Sequence, residues 1–292
     1  MQITIAKEIG YCFGVRNAVE TAIIEARRTH HESGIFSLGP LIHNKHTVQM
    51  LSVQYNIHPV DKINQIPRGS TVIIRTHGTT PTDMEELKIK GFRVIDATCP
   101  FVLQTQGIAK ELVREGYFLI ILGKKAHPEV IGIAGHAGTR YQVVQERADL
   151  DGLILPPKVG VVFQSTAMFE DFNWVPGILA SRVTQLRLHK TICGVTIARQ
   201  KSVADVAQRV QLMLIIGDKN SSNTKKLAQI SKKYTDKTYH IEEPHELGLI
   251  RLDDIQSLGI GTGTSTPDSL VEDVLGYLRS SICKQLKVSR GV

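Results

Sequence analysis

At 292 residues the chain has room for about two ordinary domains, and a 42% hydrophobic share with a mean hydropathy of -0.05 places it among globular rather than disordered or membrane proteins. No run approaches the ~20 apolar residues of a spanning helix, and the opening M-Q-I-T-I-A-K-E-I-G lacks the basic and apolar regions of a secretory signal, so a cytoplasmic protein without membrane partners is expected. A balance of 35 basic to 28 acidic residues, formally +7, points to an anionic partner, but 5% aromatics and scattered lysines and arginines argue against nucleic acid.

In chain order, Val15, Ala18, Val19, Ala22, Ile23 and Ala26 recur at helical spacing and predict a helix. Six apolar runs follow, each closing in a small or polar loop: I-F-S-L-G-P-L-I-H-N, T-V-I-I-R-T-H-G-T-T, F-L-I-I-L-G-K-K-A-H-P-E, V-G-V-V-F-Q-S-T, L-M-L-I-I-G-D-K-N-S-S-N and S-L-G-I-G-T-G-T-S-T-P-D. Short continuous apolar runs closed by turn residues fit strands of a parallel sheet buried on both faces. Leu270, Val271, Val274, Leu275 and Leu278 form a second helical stripe, and the alternation of strands and helices predicts an α/β fold.

Paired strand ends bring out a weak repeat. His43 and His77 lie 34 residues apart, His127 and Ser165 lie 38 apart, and Ser222 and Ser265 lie 43 apart. Two polar strand ends per third of the chain predict three similar α/β units with mostly parallel sheets: residues 13–98, 99–192, and 193–281 joined by an N-terminal strand within 1–12, with 282–292 as a C-terminal tail. Ligands gather at the C-terminal ends of parallel strands, so six such ends facing a common centre would line one pocket.

The 4 cysteines, Cys12, Cys99, Cys193 and Cys283, are spaced by 87, 94 and 90 residues, too sparse for a disulfide scaffold. Cys12 in G-Y-C-F-G-V, Cys99 in D-A-T-C-P-F and Cys193 in T-I-C-G-V-T each stand beside glycine or proline, where the backbone can approach a bulky group. Cys283, in R-S-S-I-C-K-Q-L, has no such neighbour and is set aside. For the other three, simple packing and metal ligation are both open; three thiolates with a free fourth position suit zinc or an iron-sulfur cluster.

Anion-binding candidates share the loops. His43, His77 and His127 follow apolar runs, and imidazoles partner phosphate oxygens well near neutral pH. Ser221, Ser222 and Asn223 supply hydroxyl and amide donors before a helical run from about Thr224, a natural anion site, and Ser265 repeats the design. Neither loop matches a P-loop or dinucleotide fingerprint, so no bound nucleotide cofactor is expected. Glu129 reads either as a proton donor whose pKa neighbouring phosphate would raise, or as an ordinary first-turn acid after Pro128.

The motifs G-Y-C-F-G-V, L-I-H-N, T-H-G, D-A-T-C-P, H-P-E-V, G-D-K-N-S-S-N and G-T-S-T-P-D, in this order over nearly the whole chain, resemble the LytB family of 4-hydroxy-3-methylbut-2-enyl diphosphate reductases. The resemblance implies a trefoil of three α/β units around a central pocket. It further implies one 4Fe-4S cluster held by Cys12, Cys99 and Cys193, with one iron open. The implied reaction is two-electron removal of the substrate's allylic hydroxyl, giving isopentenyl and dimethylallyl diphosphate, the last step of the non-mevalonate isoprenoid pathway. By the same match, His43, His77, His127, Thr196, Ser221, Ser222, Asn223 and Ser265 bind the diphosphate substrate, and Glu129 and Ser165 deliver protons. An acidic donor of ferredoxin or flavodoxin type would supply electrons to a monomer or homodimer. Two positions depart from the family pattern: Ser165 stands where threonine is usual, and Ala198 replaces an amide in C-G-V-T-I-A-R-Q, while Thr196, Arg199 and Gln200 are retained. The contrasting expectation is a non-redox protein whose three-cysteine metal site binds or senses phosphorylated metabolites.

Overall fold

The structure, a computed structural model, describes residues 1–28, 34–281 and 287–291. Strand β1 (Gln2–Ile5) leads into helix α1 (Phe13–Arg28). The first unit then runs β2 (Ile35–Leu38), α2 (Lys45–Tyr55), β3 (Ile57–Val60), β4 (Thr71–Ile74), α3 (Pro81–Ile89) and β5 (Arg93–Asp96). The second runs α4 (Pro100–Arg114), β6 (Phe118–Leu122), α5 (Pro128–Gly135), β7 (Tyr141–Val144), β8 (Lys158–Phe163), α6 (Val175–Ala180) and β9 (Gln185–Leu188). The third contains α7 (Gly194–Ala207), β10 (Leu212–Ile216), α8 (Ser222–Lys232), β11 (Thr238–Ile241), β12 (Ser257–Thr262), α9 (Asp268–Ser281) and β13 (Lys287–Arg290).

The strands form three sheets, ordered β3-β2-β4-β5, β7-β6-β8-β9 and β11-β10-β12-β1-β13, and every pairing is parallel. One topology therefore occurs three times, with β1 in the fourth position of the last sheet. Residues 287–290, set apart above as tail, pair with β1 from Gln2 opposite Lys287 to Ile5 opposite Arg290. Cys283 lies outside the described residues.

By compactness the chain divides into two bodies. Met1–Arg16, His43–Thr47 and Gly194–Val292 contain the five-stranded sheet, and Asn17–Ile42 with Val48–Cys193 contain the two four-stranded ones. The fully apolar central strands are covered on both faces, as the middle sheet shows. Ile120, Leu122, Val159, Val161 and Phe163 pack on one side with Phe172, Val175 and Leu179, and Leu119, Ile121 and Val162 pack on the other with Ala109, Leu112, Val130 and Ile133. In the five-stranded sheet Ile3, Leu212, Leu214, Leu258 and Ile260 meet the predicted stripe of α9, including Leu270, Val274 and Leu278. Burying an aliphatic side chain of this kind is worth about 1.5–3 kcal/mol, so these contacts fix where each strand ends.

Prolines mark the passage from strand end to helix. Thr80, Cys99 and His127 occupy N-cap positions, each with proline in the first helical turn, of α3, α4 and α5. Proline suits that turn because its fixed φ is helical and its missing N–H has no helical partner there. The sequence thus places Cys99 and His127 at helix starts. No described helix is long and apolar enough to cross a membrane.

Candidate active site

In each repeat a cysteine follows the fourth strand and directly precedes a helix: Cys99 follows β5 before α4, Cys193 follows β9 before α7, and Cys12 follows β1 before α1. All three cysteines are half-buried. Each backbone N–H is anchored to the loop after the third strand of its own sheet. Cys12 donates to Thr264 O at 2.9 Å, Cys99 to Thr76 O at 3.0 Å and Cys193 to Ser165 O at 3.0 Å. Thr264 adjoins Ser265, and Thr76 adjoins His77. Each cysteine backbone is therefore fixed beside a candidate site residue, at a helix start that favours negative charge.

Within the body that carries the two four-stranded sheets, His77 and His127 meet edge to face, with ring centroids 5.2 Å apart. His127 accepts a hydrogen bond at Nδ1 from the Glu129 N–H, 3.2 Å away, which leaves its proton on Nε2 as a donor. Glu129 is 1% exposed. Its Oε1 accepts from the Ser165 N–H at 2.6 Å and its Oε2 from the Ser165 Oγ at 2.7 Å. Burial raises the Glu129 pKa above the usual carboxylate range, and the two Ser165 bonds offset this only in part. The arrangement is a carboxyl poised to hold a proton, joined through one hydroxyl to the loop that anchors Cys193.

The other body holds Cys12, His43, Thr196, Ser221, Ser222, Asn223 and Ser265. Ser265 Oγ donates to His43 O at 2.7 Å. Ser221 caps α8, accepting from the Thr224 N–H at 3.3 Å, and Ser222, Asn223 and Thr224 in the first turn are buried. Both amide atoms of Asn223 and the Thr224 hydroxyl lack a partner among the described residues. Native proteins seldom bury such groups unsatisfied, so an amide stranded at a helix N-terminus marks a place for a polar ligand. The approach of the neighbouring loop depends on glycine: a Cβ at Gly263 would lie 2.1 Å from Thr224 Oγ1.

Thr196 is buried on α7, whereas Ala198 lies on the exposed side of that helix. Sequence reasoning gave Arg199 no role, yet it is among the most buried large side chains. It also missed Tyr11, whose hydroxyl meets Thr47 Oγ1 at 2.5 Å and so ties the Cys12 segment to the His43 segment. Neither has a local motif; a basic or phenolic side chain beside a ligand candidate was the available signal.

The fold and these residues define a class: an α/β protein of three like parallel-sheet units, with one thiol and two polar strand ends contributed by each. The LytB protein family model matches residues 3–279, and the chain belongs to that family. It is 37% identical over 275 residues to the 4-hydroxy-3-methylbut-2-enyl diphosphate reductase of Campylobacter curvus, covering 94% of this chain and 98% of that protein. The enzyme of that name from Aquifex aeolicus is 39% identical over 292 residues, covering 99% of each. Among solved structures, a 4-hydroxy-3-methylbut-2-enyl diphosphate reductase described as the terminal enzyme of the non-mevalonate pathway matches with 39% identity and a TM-score of 0.72, covering 96% of this chain and 99% of that one. The Plasmodium falciparum reductase matches with 25% identity and a TM-score of 0.91, covering 99% and 92%.

Proposed function

We propose that this protein is an iron-sulfur reductase that converts 4-hydroxy-3-methylbut-2-enyl diphosphate into isopentenyl and dimethylallyl diphosphate, with water as the second product. Two electrons and two protons balance the reaction: the carbon–oxygen bond breaks, one proton enters a new carbon–hydrogen bond and the other leaves with the hydroxyl. The observation that carries the reading is the buried Glu129–Ser165 pair on the loop that anchors Cys193, in a chain alike over its full length to reductases of that name.

Cys12, Cys99 and Cys193 would hold a 4Fe-4S cluster. The donor set fits: three half-buried cysteines at equivalent places in the repeat, each with its backbone pinned. When bound, the cluster supplies single electrons and a Lewis-acidic position that no protein ligand fills. Around it, Nε2–H of His127, with His43 and His77, would receive phosphate oxygens, and Ser221, Ser222, Asn223, Thr196 and Ser265 would complete the cradle. With Glu129 protonated, the Ser165 hydroxyl would turn from donating to Oε2 to accepting from it, and would donate its own proton onward. The +7 charge supports an acidic ferredoxin- or flavodoxin-type donor, and a cytoplasmic setting belongs to the same reading.

Anaerobic purification tests the proposal. A brown protein containing iron and sulfide, which consumes the hydroxylated allylic diphosphate when given low-potential electrons, is expected. Stoichiometric zinc without iron, or an intact cluster without turnover, overturns it.

A further inference from the structure

Arg199, on α7, is 1% exposed. Its Nη1 donates to Thr262 O at 3.0 Å, Thr262 Oγ1 at 2.9 Å and Gly263 O at 2.8 Å, and its Nη2 donates to Ile9 O at 3.3 Å. These acceptors sit on the two segments that set the place of Cys12. Ile9 stands three residues before it, and Gly263 precedes Thr264, whose carbonyl receives the Cys12 N–H at 2.9 Å. The Gly10 N–H, donating to Thr262 Oγ1 at 3.0 Å, joins the same segments.

Tethering alone does not explain the choice of residue. Among the described residues Arg199 forms no ion pair, and its buried Nε has no partner there. Holding a cation in the interior against carbonyl dipoles is costly unless an anion offsets it. Burial lowers the guanidinium pKa, and Cys12, ahead of Glu8 and Asp268, is the leading opposing influence. An arginine keeps its charge even so. The interior of this body thus carries a fixed positive charge directed at the Cys12 segment.

We propose that Arg199 is a positioning residue that also acts electrostatically. It fixes the Cys12 segment and, through its charge, favours the reduced, more negative state of the metal group held there. The inference rests on the iron-sulfur reading above. Each electron added to such a group increases its negative charge, and in a low-dielectric interior a neighbouring cation stabilises that state and raises the reduction potential.

The test compares wild type, Arg199→Gln and Arg199→Lys, all loaded anaerobically, by iron and sulfide content, spectroscopically followed reductive titration and unfolding temperature. Gln retains hydrogen bonding without charge; at a fixed applied potential its ratio of reduced to oxidised protein should fall at least about tenfold, equivalent to about 59 mV for one electron. Lys retains charge without the planar fork, so it should melt lower yet stay within about threefold of the wild-type ratio. A Gln variant with the wild-type ratio, or Lys and Gln variants that shift alike, makes Arg199 a tether only and overturns the inference. If the Gln variant does not accumulate, the Lys variant decides: a near-wild-type ratio with a lower melting point supports the inference, and a tenfold loss overturns it. Wild-type protein lacking iron and sulfide would instead defeat the underlying reading and the inference with it, an outcome visible in the first measurement.

Discussion

Glu129 shows how one side chain can tie pH to both turnover and stability. Its folded-state pKa is raised, so the native protein holds this proton more tightly than the unfolded chain does. Its contribution to stability is intact below the ordinary carboxylate range near ~4.3 and is lost as pH rises through the raised value. Glu129→Gln should therefore flatten the decline of unfolding temperature with pH over that interval, as thermal melts in a pH series would reveal. The same variant should keep its iron yet lose about 10²–10⁴-fold in turnover, because the amide has no proton to give. Ser165→Thr, which retains the hydroxyl, should keep most activity, whereas Ser165→Ala should lose about tenfold or more, the worth of one hydrogen bond in the transition state. Asn223 behaves differently, since its buried amide atoms have no partner among the described residues to lose. Asn223→Leu, close in volume, should leave the melting temperature equal or higher while weakening inorganic diphosphate binding by about 1–3 kcal/mol, measurable by calorimetry.

Among the elements, the loops after β10 and β12 meet the first turn of α8 with almost no spare room. Gly263→Ala should cost about 1–3 kcal/mol by driving a methyl group into the Thr224 hydroxyl. Adding Thr224→Ala should recover part of that loss, and a four-protein thermal cycle measures the coupling. The legibility of strands follows the same logic of burial. The six apolar runs visible in the sequence are β2, β4, β6, β8, β10 and β12, the second and third strands of each sheet. Their neighbours β5 and β9 have no fully buried residue, only exposed and partly covered ones, and β3 includes a proline, as strands at an edge do. An edge strand covers too little surface to need an unbroken apolar run, so Arg93–Asp96 and Gln185–Leu188 gave no signal. The cysteines were legible through adjacent glycine and proline, but their common place after the fourth strand of each sheet was not, because it depends on those unread strands. Arg199 went unread for another reason: burial of a guanidinium is decided by segments about 63 and 190 residues away.

For the whole molecule, the threefold recurrence of one strand order gives Cys12, Cys99 and Cys193 equivalent places, so the proposed cluster should depend on each alike. Cys12→Ser, Cys99→Ser and Cys193→Ser should each strip iron from the protein, while Cys283→Ser should leave the iron content unchanged. Iron and sulfide assays on the four variants separate ligands from bystander. The recurrence also has a consequence in time. Strand β1 occupies the fourth place in a sheet whose other members lie beyond residue 211, with Ile3 opposite Leu258 and Ile5 opposite Ile260. At a synthesis rate of ~5–20 residues per second, β1 leaves the ribosome on the order of tens of seconds before its partner β12. Two apolar side chains must stay out of trouble for that interval, while both four-stranded sheets already have all their strands. Assembly during synthesis then completes the two four-stranded sheets before the five-stranded one, and β1, made before its partners, is among the last of these strands to find its place.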